Sequence, residues 1–403
     1  MGWMRCCLAL ALACLAAACD DRPYNFSQYP GFAEWYARHP PASSLPTSDQ
    51  RALLQRYKPR IYLPDGGEGP IDFYRDYIAH GVLAAGDGEM LSSDVDQALL
   101  NAHKADPAMV FTHHPGGETP EPRIYGRVAE EAVDWPGCPA PPTLTFLTYN
   151  LVFRSSGLPA GVPGWQAFGL SLIADLDDWH QLDHYTAATI TLAPLEPGGL
   201  RPIAVTLQQH NYQRSFLLGD PAAPGRLALP ADDRIEVDVA IRSNELYPHL
   251  PARTARRAVS FLDAESAAYL VGDGAAPWLA ADDVTDPAKE VDLPLAFLPP
   301  NDAFYTFQGW LGERRRLPGR DGPPGADYNT LPPMKPLIHQ MALSWWYEGA
   351  LDWLSLYREL RADGRPAAID PAPFLARIAD AVAIDCPRDL TTFPSKKRPM
   401  ASA

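Results

Sequence analysis

Positive charge is scarce in this chain. Its 403 residues carry 34 lysines and arginines against 49 aspartates and glutamates, a formal net charge of −15. The only basic blocks are Arg314-Arg315-Arg316 and the short Lys396-Lys397-Arg398, which argues against a nucleic-acid partner, because phosphate attraction dominates such affinity. Long apolar runs are missing as well. The longest spans residues 6–18, short of the roughly 20 residues a membrane-spanning helix needs. Several catalytic signatures are absent: there is no G-x-S-x-G elbow, no phosphate-cradling glycine loop, no H-E-x-x-H and no C-x-x-C pair. Their absence argues against the familiar serine hydrolases, nucleotide-dependent enzymes and zinc proteases, and leaves an unfamiliar enzyme open. No repeat recurs at a solenoid or propeller period. Cysteine is rare beyond the first nineteen residues, where only Cys138 and Cys386 occur. Outside the cytoplasm two such cysteines can pair, which would tie the C-terminal segment to the body; free buried thiols fit the sequence equally well.

Proline is abundant, at 43 residues, about twice ordinary usage. Hydrophobic residues make up 46%, enough for a substantial core. The start has its own character. Met1-Gly2-Trp3-Met4-Arg5 is followed by CCLALALACLAAA, with no polar or charged side chain. A basic start, a short apolar stretch and small residues before a cut describe a signal peptide, residues 1–18. Leu15-Ala16-Ala17-Ala18-Cys19 resembles the lipobox of bacterial lipoproteins, which makes Cys19 the expected lipidation site, although Ala16 stands where leucine is usual. Cys14 after Ala11-Leu12-Ala13 is an alternative, and so is plain secretory cleavage after Ala18. Asp20 next to Cys19 resembles an inner-membrane retention signal. The expectation is a protein of the cell envelope, lipid-anchored to a membrane and facing the periplasm or exterior.

About 385 residues follow Cys19 onward. Residues 19–48 read as a Pro/Ser/aromatic tether, with a short helix at 32–38. Thr47-Ser48-Asp49-Gln50 has capping-box spacing, so a helix is expected there, ending near Lys58-Pro59, with a strand at 60–63. Further strands are expected at 143–153 (TLTFLTYNLVF), 187–192, 203–207 and 234–241 (RIEVDVAI). In the last, strict alternation turns Ile235, Val237, Val239 and Ile241 inward and Glu236 and Asp238 outward. Short strands with Gly/Pro punctuation predict a mainly β fold, an antiparallel β-sandwich core over 49–330. Past Pro336 the pattern turns helical, at 337–360 with Trp345, Trp346 and Trp353 and again at 373–384. Residues 331–395 therefore read as a helical extension packed on the sandwich, and 396–403 as a disordered tail.

Five blocks in order resemble the vacuolar protein sorting-associated protein 62 family and, more remotely, the necrosis-inducing protein family. They are Tyr57-Lys58-Pro59-Arg60-Ile61-Tyr62-Leu63; Thr148-Tyr149-Asn150; His180-Gln181-Leu182-Asp183-His184-Tyr185; the stretch from Val239 through Ser243-Asn244-Glu245-Leu246-Tyr247-Pro248; and Phe307-Gln308-Gly309-Trp310-Leu311-Gly312 with Gly322-Pro323-Pro324-Gly325. The resemblance implies a β-sandwich. The second family also implies a divalent cation held by acidic and histidine side chains. Tyr185 stands where glutamate is expected, His184 for tryptophan and Asn244 for histidine.

The densest polar cluster holds Asp175, Asp177, Asp178, His180, Asp183 and His184. Hard cations gather carboxylates, and histidine with carboxylates suits zinc, manganese or iron. The candidate metal ligands are therefore His180, Asp183, His210, Asp177 and Asp178, with His210 entering from the next strand. On an extended chain His180 and Asp183 face opposite ways, so the preceding turn must bring them together. An acidic loop entering a strand is the plainer account. Adjacent His113 and His114 also point apart. Three functions are open: a non-enzymatic lipoprotein binding a protein or other ligand through its loops; a metal-dependent surface protein, hydrolytic or membrane-active; and a glycan binder using Trp165 and Trp179.

Overall fold

The computed structural model describes residues 42–312, apart from 67, 115, 117–118, 134, 156–162, 166–181, 183–185, 196–198, 210–211, 220–225 and 250–287, together with Ile384 and Cys386. In chain order its elements are α1 (Thr47–Arg56), β1 (Arg60–Pro64), a π-helical turn (Phe73–Tyr77) running into a 3-10 turn (Ile78–His80), β2 (Gly81–Ala84), β3 (Met90–Ser92), α2 (Gln97–His103), β4 (Val110–His113), β5 (Ile124–Ala132), β6 (Thr143–Asn150), β7 (Ala187–Leu195), β8 (Gly199–Gln209), β9 (Tyr212–Leu218), β10 (Arg226–Leu227), β11 (Glu236–Val239), β12 (Leu246–Pro248), β13 (Ala288–Val291), β14 (Leu295–Phe297) and α3 (Ala303–Thr306). The protein is mainly β with few helices. None of the described helices is long and apolar enough to cross a membrane.

The strands form three sheets, ordered β12-β11-β1-β13, β10-β9-β8-β7-β6-β5-β14 and β3-β2-β4. Two of them are mixed rather than wholly antiparallel. Parallel pairs join β1 to β11, β9 to β10 and β5 to β14. The β1–β11 and β5–β14 pairs unite strands far apart in sequence, which local turn signals do not reveal.

Alternation within β5–β9 divides the seven-stranded sheet into two faces. On one, Val128, Leu147, Ile190, Val205 and Phe216 lie in register across five strands. They share a core with Ile61, Val237, Val239 and Leu246 of the four-stranded sheet. The other face carries Arg127, Thr148, Thr189 and Thr206 in register, all buried. Thr148 and Thr189 are hydrogen-bonded through their hydroxyls at 3.1 Å. Near β5 this face meets a second core, in which Tyr125 joins Phe73, Tyr77, Leu83, Phe111 and Phe304.

Aspartates set the helical starts. Asp72 accepts the Tyr74 and Arg75 N–H groups, Asp96 that of Leu99, and Asp302 that of Phe304, each satisfying an otherwise orphaned donor. The capping box expected at Thr47 does not form. Pro46 is the cap residue and makes no side-chain cap bond, while Gln50 Nε2 donates to the Leu45 carbonyl. Ahead of α1, Ser43 and Ser44 already donate to Glu130 on β5. At the far end, Cys386 is disulfide-bonded to Cys138, 248 positions away and just before β6.

Candidate functional site

Two groups of polar side chains stand apart from the cores. The first surrounds the loop after β6. Ile71 N–H donates to the Val152 carbonyl and Leu151 N–H to that of Thr186, so the loop is held by backbone on both sides. Arg154 then meets the π turn, where its Nη2 lies 2.9 Å from each carboxylate oxygen of buried Asp76. Ser155 donates to Glu68 at 3.0 Å, and its carbonyl accepts Asn244 Nδ2 at 2.8 Å. Asn244 adopts a positive φ of 57°, as does Arg242 at 68°, in the turn between β11 and β12. Left-handed backbone is uncommon outside glycine, and asparagine bears it most easily.

Two histidines flank Asp76. His80 Nδ1–H donates to the Asp76 carbonyl at 2.6 Å, and His113 Nδ1–H to the Tyr77 carbonyl at 3.1 Å. His113 also stacks on the Tyr77 ring, 4.5 Å between centroids. Burial pulls the His113 imidazole below its ordinary value, against the upward pull of the Tyr77 carbonyl. Its neighbour His114 is exposed, so the pair points apart. At the end of β6 both polar atoms of buried Asn150 lack a hydrogen-bond partner.

The second group lies on the outer face of the four-stranded sheet. Register places Tyr62 beside Asp238, and Asp238 beside Tyr247. His249 follows β12, and its Nδ1 is 2.6 Å from Asp238 Oδ1. The imidazole stacks flat on Tyr62, centroids 3.8 Å apart and planes within 10°. Tyr62 in turn donates to Glu236 at 3.4 Å. Burial, then the Glu236 and Glu290 carboxylates, push the Tyr62 phenol above its ordinary value, which keeps it a proton donor at neutral pH. Arg60 pairs with Asp232, Glu236 and Glu290 along the rim.

Asp238 corrects the expectation that it faces solvent. It does leave the core face, yet it is 1% exposed, with Tyr62 and Tyr247 beside it in register and His249 bonded to it. Alternation reports the side of a strand and not what lies over that side. The strand is also shorter than expected, and it pairs parallel with β1 on one side and antiparallel with β12 on the other.

His180, Asp183, His210, Asp177 and Asp178, with Asp175, His184, Tyr185, Trp179 and Cys19, lie outside the described residues. The strands leading to two of them, β7 and β8, are antiparallel neighbours, with Ala188 opposite Leu207. Among the described residues no group of three or more His, Cys, Asp or Glu side chains is placed to hold a metal ion. Sequence reasoning passed over Asp76, Arg154 and His249. For His249 a signal existed: centring the hairpin between Arg242 and Ser243 sets Asp238 against Tyr247 and brings His249 opposite Glu236. For Asp76 and Arg154, 78 positions apart, no local signal exists.

No family model, curated protein or solved structure matches this chain.

Proposed function

We propose that this protein is a lipid-anchored cell-envelope lipoprotein, held at a membrane through Cys19, whose body binds a partner or ligand through its loops without catalysing a reaction there. The observation that carries the reading is the apolar run ending Ala16-Ala17-Ala18-Cys19. Acyl chains on Cys19, each methylene worth about 0.8 kcal/mol when buried, would anchor an acidic chain that gains nothing from anionic lipid. The Cys138–Cys386 disulfide supports an oxidising compartment. Asp20 favours the inner membrane, and residues before the Ser43–Glu130 contact serve as the tether.

The body is best read as a β-sandwich, the four-stranded sheet facing the seven-stranded one. The core shared by Val128, Leu147, Ile190 and Val205 with Ile61, Val237 and Val239 supports this. A distant kinship to the vacuolar protein sorting-associated protein 62 family belongs to the same proposal. The Arg154–Asp76 loop cluster offers a preorganised contact surface, its guanidinium held by a buried carboxylate. A glycan ligand is the second reading, favoured by Trp165, which is 64% exposed.

Cys19→Ser tests the anchor. The wild-type chain is expected in the membrane pellet after a high-salt wash and in the detergent phase on extraction. The variant is expected in the soluble fraction, and its continued sedimentation with membranes would overturn the reading.

A further inference from the structure

We infer that Ala42–Leu45 is a strap latched to β5 by Glu130, and that the latch fixes how far the anchored body can stand from its membrane. The standoff rests on the reading of Cys19 as the anchor; the latch itself does not. β14 pairs with β5 over Ile124–Gly126. β6 occupies the opposite edge along Tyr125–Ala132, so the Glu130 N–H that donates to the Ala42 carbonyl at 2.7 Å points to the β14 side. Ala42 thus takes up the β5 edge again beyond the end of the β14 register. An open sheet edge is a liability, and a covering segment removes it.

The Glu130 carboxylate closes the contact. Its Oε2 accepts the Ser44 N–H at 2.6 Å, the Ser43 hydroxyl at 2.8 Å and the Ser44 hydroxyl at 3.0 Å. A carboxylate can accept all three donors, and such bonds are stronger than those between neutral groups. Ser43 Oγ accepts the Leu45 N–H in turn at 3.1 Å, and Leu45 packs against the core between the two larger sheets. None of these donors belongs to a helix or strand, so the strap is held by side chains and not by a continuing ladder.

What the latch protects is α1, which follows at once. Its Leu54 is wholly buried, and its Arg51 guanidinium lies 4.9 Å over the ring of Phe297 on β14. The helix therefore covers the seam between β5 and β14. A helix of ten residues is marginal in water without its packing, so a freed strap lets α1 follow. Release of Ala42–Arg56 would lengthen the tether by about 50 Å, at 3.3–3.6 Å per residue. With the strap latched, the tether ends at Ala42.

The test uses the full chain in detergent micelles and compares wild type with Glu130→Ala, with Ser43→Ala combined with Ser44→Ala, and with Ser48→Ala. Ser48 donates only to its neighbour Asp49 and serves as the control. In wild type the Ser44 and Leu45 amides are expected to resist hydrogen exchange, although they lie outside any helix or strand. In Glu130→Ala that protection should vanish, and trypsin should cut the Arg51–Ala52 bond about tenfold faster, because cleavage follows the population of the opened state. The double serine variant should show a smaller rise and Ser48→Ala none. Unprotected Ser44 and Leu45 amides in wild type overturn the inference. So does a Glu130→Ala cleavage rate equal to wild type, or an equal rise in Ser48→Ala. Where Glu130→Ala does not fold, a double serine variant cut at the wild-type rate overturns it. Neither readout involves Cys19, so the latch and the anchor fail separately.

Discussion

His113 shows how a half-buried side chain couples folding to pH. Its imidazole lies on the Tyr77 ring and donates to the Tyr77 carbonyl. Desolvation, helped by Arg154 and His80, sets its folded pKa below the ordinary 6.5, while the Tyr77 bond and Asp76 oppose the shift. The unfolded chain therefore binds the proton first as pH falls. The stability this group contributes is present above about pH 6.5 and is lost as pH drops through the folded value. His113→Phe keeps a ring on Tyr77 and removes the titration. Its midpoint of thermal unfolding should fall less between pH 7 and pH 5 than that of wild type; equal slopes would refute the account. Legibility at this scale was uneven. The sequence shows that His113 and His114 point apart, because extended backbone imposes it. It does not show that Asn150 is buried with both polar atoms unsatisfied, because that depends on which chain segments close over a strand end.

The elements divide between local and long-range causes. β1, β6, β7 and β8 were readable because each is a run of β-branched, aromatic or leucine residues whose alternate positions reach a core. Pairing was less readable. The β1–β11 and β5–β14 contacts are parallel, and parallel partners need long crossovers that leave no turn signature between them. The segment after α3 is a third case, in which chain geometry replaces side-chain pattern. Trp310 N–H donates to the Met109 carbonyl and Trp310 accepts from Phe111, both at 2.8 Å, which zips this segment along β4. So close an approach needs Gly309. A Cβ there would stand 2.3 Å from the Met109 carbonyl oxygen and 2.9 Å from Phe307 Cζ. Gly309→Ala must therefore push backbone from backbone, and strain of this kind costs about 1–3 kcal/mol. Urea unfolding is expected to show a midpoint lowered accordingly with an unchanged slope. An unaltered midpoint would mean that the segment is not fixed on β4.

For the whole molecule, the question is what ties the C-terminal part of the chain to the body that carries the described sheets. The Cys138–Cys386 bridge joins positions 248 apart in sequence, and a cross-link over so long a loop removes much freedom from the unfolded chain. It also lets compartment and fold be argued together. The same two cysteines would stay reduced in the cytoplasm, where the loop would gain nothing from them. Replacing both, Cys138→Ser with Cys386→Ser, should lower unfolding stability by about 2–5 kcal/mol and leave the far-ultraviolet spectrum of the sheets intact. Dithiothreitol should bring wild type down to the same midpoint while leaving the double variant where it was. That second comparison separates the cross-link from the effect of serine at the two positions. If the double variant matched untreated wild type, the bridge would contribute nothing to the fold, and its support for an envelope location would go with it.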